Sequence, residues 1–123
     1  VFNIVLQLSI IMQLEQQIKP FCIKSEAGKF IGLLGKAHVL HIMYILGESK
    51  VPIRFNELKR RLNVTSTTLS RRLEDLEEAG VVNRKIYAEV PLRVEYKSTK
   101  VADDLRLILR DLFKWIKSSY SVK

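Results

Sequence analysis

The sequence predicts a mainly α domain of the α+β class, with one small β-hairpin set among helices. Three observations support this. Of 123 residues, 47% are hydrophobic and 28% charged, with five Gly and three Pro, which is typical of a single compact core. Apolar residues recur at helical spacing along most of the chain. Only the region from residue 81 to 97 is instead rich in strand-forming Val, Ile and Tyr.

The charge balance and the cysteine content limit the environment and the partner. There are 21 Lys and Arg against 13 Asp and Glu, a net charge of +8, which favours an anionic partner such as nucleic acid or a lipid surface. The lone cysteine, Cys22, cannot form a disulfide within one molecule. We therefore expect a reducing compartment and a cytoplasmic protein.

Residues 1–20 form an apolar N-terminal segment. The run Val1 to Met12 contains three polar residues and is too short to span a bilayer, and it lacks the basic flank of a secretion signal. Either Val1 reflects an alternative start codon or translation begins at Met12. A helix continuing through Leu14 and Ile18 would be apolar on most sides, so we expect a possible dimerisation arm.

Residues 99–123 are predicted to form a second apolar terminal helix and a tail. It should begin after the capping hydroxyls of Ser98 and Thr99. Its apolar positions alternate four and three residues apart, and those expected to mediate dimerisation are Leu105, Ile108, Leu112 and Trp115, with Val101 before them. Two such terminal helices predict a homodimer; alternatively, both complete the core of one monomer.

Between them, residues 21–98 hold two helices separated by a short turn. After a buried helix from Ala37 to Leu46, ended by Gly47, and a short strand at residues 53–55, we expect a helix from Asn56 to Leu62 with Asn56 as its N-cap. Asn63 and Val64 form the turn. The next helix opens at Thr65, whose hydroxyl caps it, and runs to Ala79, where Gly80 ends it.

The second of these helices has two distinct faces. Leu69, Leu73 and Leu76 form a stripe that must face the core. The opposite side and its flanks carry hydroxyl and guanidinium groups, in the order Ser66, Thr67, Thr68, Ser70, Arg71 and Arg72. Its acidic residues all come later. Only the first turns can therefore approach phosphate groups, as a recognition helix does in a DNA major groove.

A β-hairpin follows, with strands at residues 81–87 and 93–97 and Pro91 at its tip. A hairpin beside a helix-turn-helix is the wing of a winged helix-turn-helix, and it lies along the DNA backbone or minor groove. Cations on the wing and the preceding elements are expected to contact backbone phosphates: Arg54, Lys59, Arg60, Arg61, Arg84, Lys85 and Arg93.

The chain resembles the HxlR-type winged-helix regulators of the MarR-like group. The resemblance rests on a series of short motifs in order, namely Cys22, Gly35-Lys36, residues 54–58, Leu69-Ser70, Leu73, residues 76–80, Arg84, Tyr87, residues 89–91, residues 94–96, Thr99 and Trp115. It implies a dimeric, DNA-binding transcription regulator. It also implies a possible redox role for Cys22, whose thiol senses oxidants in some relatives; the alternative is a small buried apolar side chain.

The sequence gives less support to three other functions. A winged helix can serve as a protein-interaction module, and a basic surface can coat DNA without sequence preference. Membrane-surface binding through residues 1–18 has no basic stripe to support it. We expect no enzyme, no cofactor and no metal site, because no nucleophile motif is present and His38 and His41 have no clear third ligand.

Overall fold

The computed structural model describes residues 2–17 and 24–120. The chain divides into two compact units, Val1–Ile31 and Gly32–Lys123, and the boundary falls within a helix. The helices and strands follow in the order α1 (Phe2–Gln17), α2 (Glu26–Leu34), α3 (Val39–Glu48), β1 (Ile53–Arg54), α4 (Phe55–Leu62), α5 (Ser66–Glu78), β2 (Val82–Tyr87), β3 (Arg93–Ser98), a 3-10 turn (Lys100–Ala102) and α6 (Asp103–Ser119). The mainly α fold with a single hairpin is confirmed.

The first unit contains the predicted apolar helix. α1 has no acidic residue in its first turn and no basic residue in its last turn. From residue 3 to residue 13, every side chain is exposed, including those of Ile4, Leu6, Ile10 and Met12. Over residues 3–13, helix α1 therefore exposes apolar side chains on most of its sides, as its sequence predicts.

The second unit is built around aliphatic side chains from its helices and its sheet. The fully buried residues come from α3, α4, α5 and β2, and they are Val39, Ile42, Leu46, Leu58, Leu69, Leu73, Leu76 and Val82. No polar or charged residue among those described is buried with them. Burying each large apolar side chain contributes about 1.5–3 kcal/mol, so this core holds the helices against the sheet.

Helices α4 and α5 form the predicted helix-turn-helix. Asn63 ends α4 with a φ of 52°, in the left-handed region that Asn tolerates, and this makes a two-residue turn possible. The Thr65 side chain accepts a hydrogen bond from the Thr68 N–H, as predicted for an N-cap. Gly80, with a φ of 77°, follows the C-cap of α5, so the predicted stop is also confirmed.

The expected start of α4 is wrong. The helix begins at Phe55, and its N-cap is Arg54, whose extended backbone leads out of β1 and whose side chain makes no capping hydrogen bond. Asn56 is already inside the first turn, so its amide is not a cap. The chain passes directly from β1 into α4 without the capping residue that the sequence pattern suggested.

The hairpin is confirmed, and β1 adds a third strand at its edge. The antiparallel sheet has the order β1-β3-β2, with Ile53 opposite Tyr96 and Arg84 also opposite Tyr96. We call β2, β3 and the loop between them the wing, and residues 88–92 the wing tip. Pro91 lies in that tip, preceded by a cis peptide bond.

Two predicted helix boundaries near α6 are corrected. Gly47 does not end α3, which continues to Glu48; a Cβ at Gly47 would lie 3.2 Å from Cγ of Arg106, so the glycine allows α6 to pack close. The Thr99 hydroxyl does not cap α6. It donates to the Gly80 carbonyl at 2.8 Å, and a 3-10 turn precedes the helix.

An ion pair also joins α3 and α6. Nε and Nη2 of Arg110 donate to the two carboxylate oxygens of Glu48, each at 2.9 Å. These hydrogen bonds hold the pKa of Glu48 below its usual value, against a smaller opposing effect of desolvation. The paired geometry fixes α6 across α3 at a second point besides Gly47.

Within the described ranges, no single helix is both long and apolar enough to cross a membrane; α2 and α3 meet that criterion only when taken together across their break.

Candidate nucleic-acid interface

The first half of α5 is exposed on the side opposite the core, as predicted. Leu69, Leu73 and Leu76 are fully buried beneath it. The exposed side chains of this half are Ser66, Thr67, Ser70 and Arg71. None of these four makes a side-chain hydrogen bond or ion pair with any residue that the structure describes. Their donors and acceptors are therefore free for a ligand.

Two members of the predicted recognition set are engaged inside the protein. The Thr68 hydroxyl accepts a hydrogen bond from the Thr65 hydroxyl at 3.0 Å, and Thr68 is only half exposed. Nη1 of Arg72 lies 3.2 Å from Oδ2 of Asp75, which also accepts from Nζ of Lys36 at 3.2 Å. Both positions lie on the flanks of the exposed face, where intramolecular partners reach them.

The predicted backbone cations on α4 and β1 differ in how far they are engaged. Arg60 and Arg61 both donate to Glu57, at 2.7–2.9 Å. These bonds hold the pKa of Glu57 below its ordinary value despite some desolvation. Arg54 lies 4.0 Å from Glu95, while Lys59 is half-buried and has no ion pair with the described residues.

The wing cations lie on opposite faces of the sheet. Arg84 shares a face with the buried Tyr96, and its Nε lies 3.4 Å from Oε2 of Glu77 on α5. Burial raises the pKa of the Tyr96 phenol, with Arg84 opposing that shift. Lys85 and Arg93 are on the other face, beside the ring of Tyr87. The pleat separates neighbouring residues in this way, and of these three cations it is Arg84 that pairs with a residue of α5.

Arg93 is the most engaged of the predicted DNA-contacting residues. Its guanidinium carbon lies 3.7 Å from the centre of the Tyr87 ring. Its two terminal nitrogens lie 3.1 Å from Glu89 and 3.5 Å from Glu95, and its side chain is 25% exposed. Its Nε is buried without a hydrogen-bond partner in the described structure. This arginine supports the base of the wing tip more than it extends into solvent.

A cleft of about 470 Å³ lies between α5 and the wing. Its walls combine the start of α4, the middle of α5 and the wing, and they include Arg54, Asn56, Ser70, Arg84, Arg93 and the wing-tip residues 89–92. Three cations and one carboxylate, Glu89, therefore line a groove beside the exposed face of α5. The three cations favour an anionic ligand in this cleft.

Sequence reasoning missed two parts of this surface. Asn56 lines the cleft, although its position in the sequence suggested an N-cap. The sequence signal for its place in the cleft was its position directly after Arg54 and Phe55, which line the same cleft. The wing tip, Ala88-Glu-Val-Pro-Leu92, was treated only as a turn, although its apolar composition can be read from the sequence. In the structure, Val90 and Leu92 are among the exposed large hydrophobic residues.

The predicted dimerisation residues of α6 divide into two groups. Leu105 and Leu112 are half-buried, and Leu109 between them is fully packed into the core. Ile108 and Trp115 are 63% and 57% exposed. The exposed pair continues the seven-residue spacing from Val101, so one stripe of α6 remains uncovered within the unit.

Other candidate residues carry no site in the described structure. Cys22 lies outside the described residues, so thiol sensing stays a prediction. His41 contacts the ring of Phe113 at 5.3 Å between centroids, and His38 precedes α3 in a left-handed conformation. Among the side chains of residues 3–13 and 24–120, no group of three His, Cys, Asp or Glu could hold a metal ion.

Comparison with known proteins places this geometry in a family. Residues 33–123 match the HxlR-like helix-turn-helix family. An uncharacterised HTH-type transcriptional regulator of Halalkalibacterium halodurans is 44% identical over 89 residues, which cover 72% of this chain and 78% of the relative.

Solved structures agree. A possible HxlR family transcriptional factor from Thermoplasma volcanium matches with a TM-score of 0.65 and 28% identity, over 75% of this chain and 82% of its own. The redox regulator HypR in its reduced form matches with a TM-score of 0.69 and 28% identity, over 79% and 95%. The resemblance read from the sequence is confirmed, and this chain belongs to the HxlR-like helix-turn-helix family of transcriptional regulators.

Proposed function

We propose that this chain is a homodimeric regulator that binds double-stranded DNA at specific sequences, with α5 in the major groove. The observation that carries the proposal is the exposed first half of α5, whose Thr67, Ser70 and Arg71 have no partner among the described residues and stand beside a cationic cleft. Hydroxyl groups and a free guanidinium are suited to base edges, above all Arg to guanine. Ser66 assists them at the start of the helix.

The surrounding cations supply affinity that does not depend on sequence. Arg54 and Arg84 line the cleft, and Lys85 lies on the outer face of the wing. Lys59 and Arg60 extend the basic surface along α4. Contacts from such residues to phosphates release counterions, so we expect a strong dependence of affinity on salt concentration. Arg72 and Thr68, which are engaged inside the protein, support α5 instead of reading bases.

Two exposed apolar surfaces, one in each unit, support the proposed dimer. Ile108 and Trp115 on α6 are exposed at a seven-residue interval, and α1 exposes apolar side chains on most of its sides from Ile4 to Met12. A second copy of the chain would cover such a stripe, because a two-fold axis brings the same apolar surface of both copies into contact. Two recognition helices then read half-sites about 34 Å apart, and the operator is near-palindromic.

No catalytic role is included in the proposal. The surface described above is built to hold a duplex, and nothing in it resembles an activated nucleophile. We propose that the protein works in the cytoplasm, on the chromosome.

Selection from a pool of random duplexes tests the function. Purified full-length protein is incubated with the pool at moderate salt, and bound duplexes are recovered, amplified and sequenced over several rounds. We expect a near-palindromic sequence to emerge, bound about 10³-fold or more tightly than random duplex. Binding without enrichment would instead indicate a sequence-tolerant coating protein. Failure to retain any duplex at low salt, with stable capture of a protein, would favour the protein-interaction module.

A further inference from the structure

The cations that line the cleft all lie close to carboxylates. The pairs, each within 4.0 Å, are Arg54 with Glu95, Arg93 with Glu89 and Glu95, and Arg84 with Glu77. Glu95 is only 14% exposed, whereas Glu77 and Arg84 are 40% and 43% exposed and belong to different elements, α5 and the wing. Exposed ion pairs contribute little to stability, because water and salt screen them. A ligand can therefore separate Arg84 from Glu77 at small cost.

Arg84 lies between two depressions of opposite charge. Besides the cleft, it lines an open depression of about 310 Å³ whose other walls are Glu74, Glu77 and Glu78 of α5, and we call this depression the acidic recess. Seven residues are nearly two helical turns, so Glu77 lies on the same face of α5 as Ser70, about 10 Å further along the axis. Arg84 thus lies where this face changes from a hydroxyl to carboxylates.

The strand fixes the backbone of Arg84, and its side chain can point to either depression. Arg84 is opposite Tyr96 in the sheet, and its guanidinium opposes the rise in the pKa of that phenol that burial causes. The distance from its Nε to Oε2 of Glu77 is 3.4 Å, which is longer than a charge-assisted hydrogen bond. The contact is therefore mainly coulombic, and a phosphate oxygen in the cleft can compete with it.

We propose that Glu77 limits the affinity for DNA: it holds the guanidinium of Arg84 at the acidic recess, and a phosphate must displace it to bring Arg84 into the cleft. The inference rests on the proposed function and adds to it a carboxylate that competes with the duplex for one cation. Phosphate contacts carry no sequence information. Glu77 therefore weakens binding to the operator and to random duplex by the same factor.

The experiment compares two matched charge changes on α5. Glu77→Gln removes the partner of Arg84 and keeps the length of the side chain. The control is Glu78→Gln, the same change at an exposed glutamate that lines the same recess and has no ion pair with the described residues. Each change is made in the wild-type protein and in an Arg84→Ala background. Fluorescence anisotropy measures the affinity of each full-length protein for the selected duplex and for a random duplex, and thermal unfolding checks the fold.

We expect Glu77→Gln to tighten binding to both duplexes about two- to fivefold, which is the range expected for release of an exposed ion pair. Glu78→Gln should give a smaller gain, because it removes only a longer-range repulsion that salt screens. In the Arg84→Ala background, the two glutamate changes should have equal effects, since no cation remains for Glu77 to hold.

Two results would overturn the proposal and leave the regulator function intact. Weaker binding of Glu77→Gln would show that Glu77 orients Arg84 towards the duplex instead of competing with it. Equal gains for Glu77→Gln and Glu78→Gln in the wild-type background would show general repulsion by the acidic half of α5. Failure of every protein, wild type included, to bind either duplex would overturn the proposed function and this inference together.

Discussion

The start of α5 and the wing are both basic and exposed, yet their charged groups are in different states. Arg71 on α5 has no ion pair with the described residues. On the wing, Arg84 pairs with Glu77, and Arg93 pairs with Glu89 and Glu95. A residue that reads bases must have free donors, whereas a residue that positions a loop has its donors already bound. Net charge alone does not distinguish these two roles.

Arg71 and Arg93 also lose their side-chain conformational entropy at different stages. In the proposed complex, Arg71 would lose its rotamer freedom only on binding DNA, and that ordering would reduce the affinity its contact provides. Arg93 is ordered on folding, because Tyr87 and two carboxylates hold it. We therefore expect substitutions on α5 to change specificity and substitutions in the Arg93 cluster to change the order of the wing.

The largest effect should come from the core that both regions share. Leu73→Ala removes a fully buried side chain beneath α5, and we expect a loss of about 2–5 kcal/mol in the free energy of unfolding. Urea unfolding measures it. Leu107→Ala, an exposed position on α6, is the control and should change stability by about 0.5 kcal/mol or less. A small effect of Leu73→Ala would mean that α5 is not packed as described.

A pair of substitutions separates reading from general affinity. Arg71→Ala should cost about 1–3 kcal/mol on the selected duplex and little on random duplex, because it removes a contact to a base. Lys85→Ala should weaken both duplexes alike and reduce the slope of log K against log salt by about one. Fluorescence anisotropy across a salt series measures both. Equal losses on the two duplexes for Arg71→Ala would contradict its role as a reader.

The smallest effect concerns an ion pair that is remote from the DNA-facing surfaces. Because Arg110 lowers the pKa of Glu48 in the folded protein, this pair stabilises the fold above the unfolded-state pKa, near 4.5. That contribution is lost as the pH falls through the lowered folded-state pKa. Glu48→Gln should therefore make the acid limb of stability against pH shallower, and Arg110→Gln should do the same. Additive effects in the double variant would show that the two side chains are not coupled.

Most of the fold could be predicted because its signals are local. The buried stripe Leu69-Leu73-Leu76, the Thr65 cap, the Gly80 stop and the hairpin are all read from neighbouring residues, and the structure confirms them. The errors at Gly47 and Thr99 have a common cause. Gly and Thr are both residue types that are typical of helix ends. Here the role of each depends on a residue far away in the sequence, which is Arg106 for Gly47 and Gly80 for Thr99.

The candidate site was less predictable, since it depends on which charged groups meet in space. Arg71 and Arg72 are adjacent in sequence, and the contact of Arg72 with Asp75 on the same helix is what distinguishes the second from the first. The cleft brings Arg54, Asn56 and Ser70 from three elements to one groove with the wing. No periodicity reports such a meeting, because it arises from packing between elements far apart in the chain.

The two-residue turn before α5 has a consequence for substitutions at Asn63. With so short a link, the direction of the reading helix depends on the backbone torsions of Asn63. Asn and Gly occupy that left-handed conformation readily, while β-branched residues do not. We therefore expect that exchanging the outward side chains of α5 leaves the direction of the helix unchanged, whereas a β-branched residue at position 63 would alter it.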